Sequence, residues 1–381
     1  MATIADSVDS IEDINVVEEE ERVFASSQWK LVWRRFRRHR VAVIATLIIL
    51  FLYTIALFAE VFAIHEPHDS TADRAVLAPQ RVHLDGIKPY VYGFTSSRDP
   101  ITLAKVHTVD LETKNYIQFF VRGYEYKLLG LISTNWHFIG LDTDERPMQL
   151  YLLGTDRMGR DMWSRIMLGT RISMSIGLIG VAISLFLGIL LGGISGYRGG
   201  RIDLLIQRLI ELIRSMPTIP LWLALAAAVP QDWSIIRVYF AITIILSVIG
   251  WTTLAREVRG RFLSMREEDF VVAARLYGTS QLGIIFRHML PSFFSHIIAA
   301  TTLAVPGIII AETALSFLGL GMRPPAISWG VLMFESQNLE SVAQAPWLLL
   351  PGGFVIITVL AFNFMGDGIR DAADPYAVQR H

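Results

Sequence analysis

Two groups of residues have the types and spacing to do chemistry. His65, His68 and Asp69 are the residue types of a metal site, but they form one short cluster in a loop with no second ligand pair at a metal-binding spacing, so no metal is expected. Glu211, Arg214, His296 and Glu312 fall in or beside long apolar segments, where ionisable side chains are costly and mark either function or internal pairing. Glu211 and Arg214 stand one helical turn apart, and a mutual ion pair is the expected reading. Glu312 is a candidate gate at the outer end of its segment, with a structural role as the weightier alternative. Cysteine is absent, which removes disulfides, thiolate metal sites and a thiol nucleophile. The chain also lacks a Gly-x-x-x-x-Gly-Lys-Ser/Thr phosphate loop, so it is expected to hydrolyse nothing alone, to have no catalytic residues and to hold no cofactor of its own.

The elements that must position these residues follow from composition. Of 381 residues, 52% are hydrophobic and 18% charged, against roughly 25% charged in soluble domains, and the mean hydropathy is +0.44. The apolar residues cluster in stretches near or above the roughly 20 needed to cross a bilayer. A formal net charge of -1 gives no pull toward polyanions, and no nucleic-acid partner is expected. The first 24 residues hold eight acids and one base, a solvated tail. Residues 29–40 mix six bases with Trp29, Trp33 and Phe36, which reads as a membrane-hugging cytoplasmic anchor rather than the start of a cleaved signal.

The expected fold is an all-α polytopic membrane protein of six spans: 41–64, 172–195, 202–229, 238–255, 292–311 and 346–366. The third holds Asp203, Arg208, Glu211 and Arg214 in its first half, so it is expected to start at the interface before entering the membrane. Residues 1–40 form the tail and anchor, 65–152 an external insertion, 153–370 the five-span core and 371–381 a terminal tail. Arginines concentrate after spans two and four, which places both termini in the cytoplasm. Arg157, Arg160, Arg165 and Arg171 run against that count, interleaved with Asp156 and Asp161. Within the insertion, Tyr116 to Val121 and Tyr124 to Leu129 are rich in β-prone residues and predict short strands.

Two patterns within the core go beyond spanning. Gly180, Ser184, Gly188 and Gly192 recur every four residues, which puts small side chains on one helix face. Close helix packing is the first reading and a backbone-lined pathway the second. Residues 267–291 read as helix, turn, helix between two spans. Phe270, Ala274 and Tyr277 share a face, Gly278 supplies a positive φ for a sharp turn, and Leu282, Ile285, Phe286, Met289 and Leu290 make an apolar stripe. A mere tether needs neither stripe nor hinge, so a docking element within the cytoplasmic loop 256–291 is expected.

Here the sequence resembles a known family. Val272-Ala273-Ala274-x-x-x-Gly278, followed by His288-x-Leu290-Pro291, looks like the EAA loop of permease subunits in binding-protein-dependent ABC importers. Val272 replaces the usual glutamate and His288 the usual isoleucine, departures that resemble the peptide/nickel branch. Gly154-Thr155-Asp156-Arg157-Met158-Gly159-Arg160-Asp161, Gly196-Tyr197-Arg198-Gly199-Gly200 and Glu312-x-x-Leu315-Ser316-Phe317-Leu318-Gly319 are similar to that branch too.

The resemblance is to the C-type permease of oligopeptide or dipeptide importers. It implies a homologous second permease, two cytoplasmic ATPases that bind ATP and Mg, an external binding protein, and the bacterial inner membrane. Asp269, Val272, Ala273, Ala274, Arg275, Gly278, His288, Leu290 and Pro291 would form the coupling loop. Similar permeases carry oligosaccharides, nickel or opines, and the insertion resembles extended loops in some oligosaccharide carriers, so those cargoes stay open beside peptides. A proton-coupled secondary transporter is the rival class, but it would need midplane ionisable groups and internal repeats.

Overall fold

The computed structural model describes residues 28–98, 100–101, 105–141 and 148–373. The acidic tail expected over the first 24 residues, and most of the expected terminal tail, lie outside them.

Helix α1 (Gln28–Arg38) is amphipathic, seating Phe36 against Ala42 and Ala372 while Trp33 stays 60% exposed. The Nδ1 of His39 accepts the backbone N–H of Ala42 at 3.1 Å and so caps α2 (Arg40–Leu57), which continues through a kink at Phe58 into α3 (Ala59–Phe62). The insertion is an antiparallel meander of β1 (His83–Asp85), β2 (Lys88–Arg98), β3 (Lys105–Leu128) and β4 (Ile132–Leu141). The two short strands expected over 116–129 are one: β3 runs 24 residues, pairs with β2 along its first half and with β4 along its second, and absorbs Gly123 in a register irregularity between Arg122 and Tyr126.

The helical core comprises α4 (Met162–Arg198), α5 (Gly200–Ser215), α6 (Thr218–Ala227), α7 (Ile235–Met265), α8 (Asp269–Leu276), α9 (Phe294–Phe317), α10 (Trp329–Met333) and α11 (Leu350–Ala373). Among the described residues, α2, α4, α7, α9 and residues 346–373 are long and apolar enough to cross a membrane. The pair α5 and α6, bent by 87°, makes a sixth if taken as one broken span. The bend falls at Met216–Pro217, where the proline pushes Met216 into an extended conformation (φ −90°, ψ 140°).

Helix α4 starts at Met162 rather than at Ile172, because its polar first turns are satisfied internally. Asp161 caps it through the N–H of Ser164 at 2.8 Å. Arg160 is held by Asp156 at 2.6 Å and by Glu335 at 3.0 Å, and Arg165 donates to the Pro67 carbonyl at 3.2 Å with the Asp156 carboxylate 3.7 Å away. Arg171 is gripped by Glu60 at 2.5 Å and donates to the carbonyls of Ala56 at 2.8 Å and Leu57 at 3.1 Å. Three of the four arginines that opposed the orientation count are therefore neutralised within the protein. At 37 residues α4 is about 55 Å long, well beyond the roughly 30 Å of hydrocarbon, so its charged end projects from the membrane.

Helix α4 is the axis of the bundle. The face carrying the small residues meets α7: Ser184 Oγ donates to the Ser247 carbonyl at 3.0 Å, a Cβ on Gly188 would lie 3.0 Å from Leu254, and one on Gly192 would lie 2.4 Å from the Ala255 carbonyl oxygen. Gly180 instead faces both Ile308 of α9 and Ser247. Close packing, rather than an open pathway, is what this stripe forms on the inside of the subunit. On the other side of the bundle, α2 packs against α11 and α4.

Candidate functional site

The loop joining α7 to α9 is built around α8. Glu268 precedes it, Asp269 lies exposed in its first turn where the helix dipole favours a carboxylate, and Gly278 ends it. The N–H of Gly278 donates to the Arg275 carbonyl at 3.0 Å and that of Thr279 to the Ala274 carbonyl at 3.1 Å. With Gly278 at φ 77°, these two bonds make a Schellman ending, a conformation that a Cβ would strain. The next helical segment starts at once, with Ser280 Oγ accepting the N–H of Gly283 at 3.2 Å.

Packing decides which face of α8 turns inward, and it is not the face expected. Val271 and Ala274 are buried against Val258, Phe262 and Met265 of α7 and against Ile284, Ile285 and Met289. Phe270 and Tyr277, expected to share a face with Ala274, point outward, and Tyr277 is 90% exposed. The expected stripe of the second segment is likewise split. Residues 284–289 form a π turn, so Ile284 and Met289, five apart, come together on the buried side with Ile285, while Leu282 and Phe286 turn out. His288 and Leu290 are half-buried and Pro291 is exposed.

The result is a small apolar surface facing away from the body: Phe270, Val272, Ala273, Leu276 and Tyr277. Leu276 is 83% exposed. Arg275 lies over the Tyr197 ring, 5.6 Å from its centroid, and Arg198 donates to Gln281 at 2.6 Å, so the end of α4 is tied to the loop on either side of its turn. Sequence reasoning missed those ties, although Tyr197 and Arg198 stand in the Gly196–Gly200 motif. It also missed Asp203, which accepts from Ser195 of α4 at 2.5 Å and from Arg259 of α7 at 2.5 and 2.6 Å, pinning α5 to both.

The remaining candidates separate. Glu211 pairs with Arg208 at 2.7 Å, not with Arg214, which reaches across to Thr253 Oγ1 at 3.0 Å. Arg208 is also one turn away, and α7 offers Arg214 a nearer acceptor. His65 is buried, stacked on Tyr151 at 4.7 Å and bonded to the Met148 carbonyl at 2.7 Å, His68 is exposed, and Asp69 pairs with Arg74 at 3.4 Å. His296 stacks on Phe293 at 4.7 Å with Glu257 at 3.5 Å. Glu312 is fully buried: it accepts from Ser173 Oγ at 3.2 Å and Ser316 Oγ at 2.9 Å. Those hydroxyls in turn accept the N–H of Trp329 at 3.1 Å and of Met322 at 3.0 Å. The carboxylate thus fastens α9 and α4 to the segment between residues 322 and 329.

The chain is a polytopic helical membrane protein that presents an apolar knob on a short loop between two spans. The comparisons with known proteins make the assignment specific. Residues 163–377, more than half of the chain, match the family described as binding-protein-dependent transport system inner membrane component, and the chain belongs to that family. Residues 27–79 match the N-terminal transmembrane domain of oligopeptide transport permease C, so residues 80–162, most of the sheet-bearing insertion, lie between the two matches.

The chain is 36% identical to the oligopeptide transport system permease protein OppC of Bacillus subtilis, over 62% of this chain and 75% of that one. It is 40% identical to OppC of Haemophilus influenzae, over 59% and 70%, and 36% identical to the dipeptide transport system permease protein DppC of Bacillus subtilis, over 60% and 70%. A solved structure of the MetNI methionine ABC transporter in inward-facing conformations aligns at 17% identity and a TM-score of 0.43, over 54% of this chain and 94% of that one.

Proposed function

We propose that the chain is one transmembrane half of an ATP-driven importer for oligopeptides or dipeptides in a bacterial inner membrane. In this reading it pairs with a homologous permease, receives cargo from an external binding protein, and has both termini in the cytoplasm. Two ATPases there bind ATP and Mg. The observation that carries the reading is the knob on α8: an apolar surface turned to solvent, mounted on an anchored inner face and joined to two spans. A partner that closes on Leu276 and Tyr277 moves α7 and α9 with it, because the loop is packed against both rather than hung between them. Peptide cargo is supported by the oligopeptide and dipeptide permeases the chain resembles.

The test replaces Leu276 and Tyr277 together by Asp. Membrane insertion and thermal stability of the variant are expected to match wild type, while co-purification with the ATPase subunits falls at least tenfold, the equivalent of about 1.4 kcal/mol. Undiminished co-purification overturns the docking role. Cargo is decided separately by the cognate binding protein, which is expected to bind peptides; retention of cello- or galacto-oligosaccharides and no peptides overturns the peptide assignment.

A further inference from the structure

The insertion carries an aromatic shelf at the height where the first span leaves the membrane. Phe138 of β4 packs on Phe62, the last residue of α3, at 5.4 Å between ring centroids. Both Phe119 and Phe120 of β3 pack on that same Phe138 ring, at 5.5 and 5.6 Å. Successive side chains of a regular strand point to opposite faces. Phe120 departs from this through a φ of 57°, a left-handed conformation rare for a bulky residue, and both rings come to one side. They are left 55% and 66% exposed. Beside them Trp136 is 49% exposed, with the Arg122 guanidinium 5.5 Å from its ring centroid. A strained backbone that places two adjacent phenylalanines on an exposed face is not what a water-facing sheet needs.

Position identifies what covers the shelf. From Arg40 to Phe62 the chain runs 23 residues, with the kink at Phe58, and rises about 33 Å. With the cationic α1 and Arg40 at one headgroup layer, Phe62 falls at the opposite edge of the roughly 30 Å hydrocarbon. The span it ends packs chiefly on α11 and α4 and presents Ile44, Leu47 and Phe51 outward, an apolar flank at membrane depth. Aromatic rings with an adjacent cation are the side chains that settle where acyl chains meet headgroups.

We infer that Phe119, Phe120 and Trp136 seat the insertion on the bilayer, at the acyl–headgroup boundary of the leaflet where the first span ends. The insertion is thereby held at a fixed height and tilt above the transport core. The inference requires the membrane spans alone and is independent of cargo and of any ATPase.

The absence of cysteine makes the test direct. Full-length Phe119→Cys is labelled with an environment-sensitive fluorophore and reconstituted into phosphatidylethanolamine–phosphatidylglycerol vesicles. Ile44→Cys serves as the lipid-facing reference and Leu276→Cys as the water-facing one. The probe at position 119 is expected to be quenched by lipids bearing a nitroxide near the acyl carbonyl and shielded from aqueous iodide, as at position 44. Trp136→Cys repeats the measurement from the neighbouring strand, so a misfolded variant at one position leaves the other. Quenching by iodide as strong as at position 276, with none from the lipid nitroxide, overturns the inference. So does shielding that develops only when the external binding protein is added, which would make a protein the occupant.

Discussion

At the scale of single residues, Ala274 and Tyr277 show how far a one-residue rotation of a helix changes the meaning of a motif. Both were expected on one docking face, yet Ala274 is 6% exposed and anchors the loop while Tyr277 meets solvent. Ala274→Asp should therefore act differently from changes at Tyr277. It buries an unpaired carboxylate against Phe262, costs several kcal/mol, and lowers the thermal midpoint; on the proposed docking role, ATPase co-purification falls with it. Gly278→Ala should cost roughly 1–2 kcal/mol from its left-handed backbone, visible as a reduced denaturation midpoint of the purified subunit. The glycine was legible because a sharp turn between two helical patterns needs a positive φ. The inward face was not, because Val271 with Ala274 and Phe270 with Tyr277 are both apolar at helical spacing, and only contact with α7 separates them. Glu211 was misjudged for a similar reason: Arg208 and Arg214 each lie one turn away.

Among elements, the seam between α4 and α7 is set by residues that are small. Gly192→Ala would place a methyl 2.4 Å from the Ala255 carbonyl oxygen, backbone that no side-chain rotation clears. The helices must part, at a cost of about 1–3 kcal/mol, to be measured as loss of thermal stability in detergent; Gly307→Ala, with open space around it, is the silent comparison. The insertion offers a pH test. Asp85 is held below the usual carboxylate range, first by the Tyr116 hydroxyl, which donates at 3.1 Å, and then by Lys114. A depressed carboxylate stabilises above its unfolded value near about 4 and loses that contribution as pH falls through the folded value. The protection of β1 amides, measured relative to their intrinsic exchange rates, should fall as pH drops through that range, and this step should be absent in Asp85→Asn. Four-residue spacing made the seam legible in sequence, whereas the single 24-residue strand was not, since Gly123 reads as a break unless the partner strand shows that it is bridged.

For the molecule as a whole, the membrane class and the bundle of apolar helices were legible from hydropathy. The helix ends were not, since hydropathy stops at the first charges and cannot know which are paired. Arg171 and Glu60 are the clearest case, joining the first two spans where both leave the membrane. Arg171→Gln leaves Glu60 half-buried and unpaired and frees the carbonyls that end α2; a loss of roughly 1.5–3 kcal/mol is expected. The double change with Glu60→Gln should recover part of it in the same thermal assay.

The π turn at 284–289 carries one residue more than an α-helical turn would. Removing any one residue from that stretch would let the segment relax to a regular helix without breaking a hydrogen-bonded turn. A π turn takes up its extra residue locally, so the helical faces on either side would keep their phase after such a deletion. The turn is thus one residue of slack between α8 and the span that holds the buried carboxylate. A single-codon deletion there should therefore be tolerated, with membrane insertion and thermal midpoint near wild type, where the same deletion in the middle of α9 should lower both.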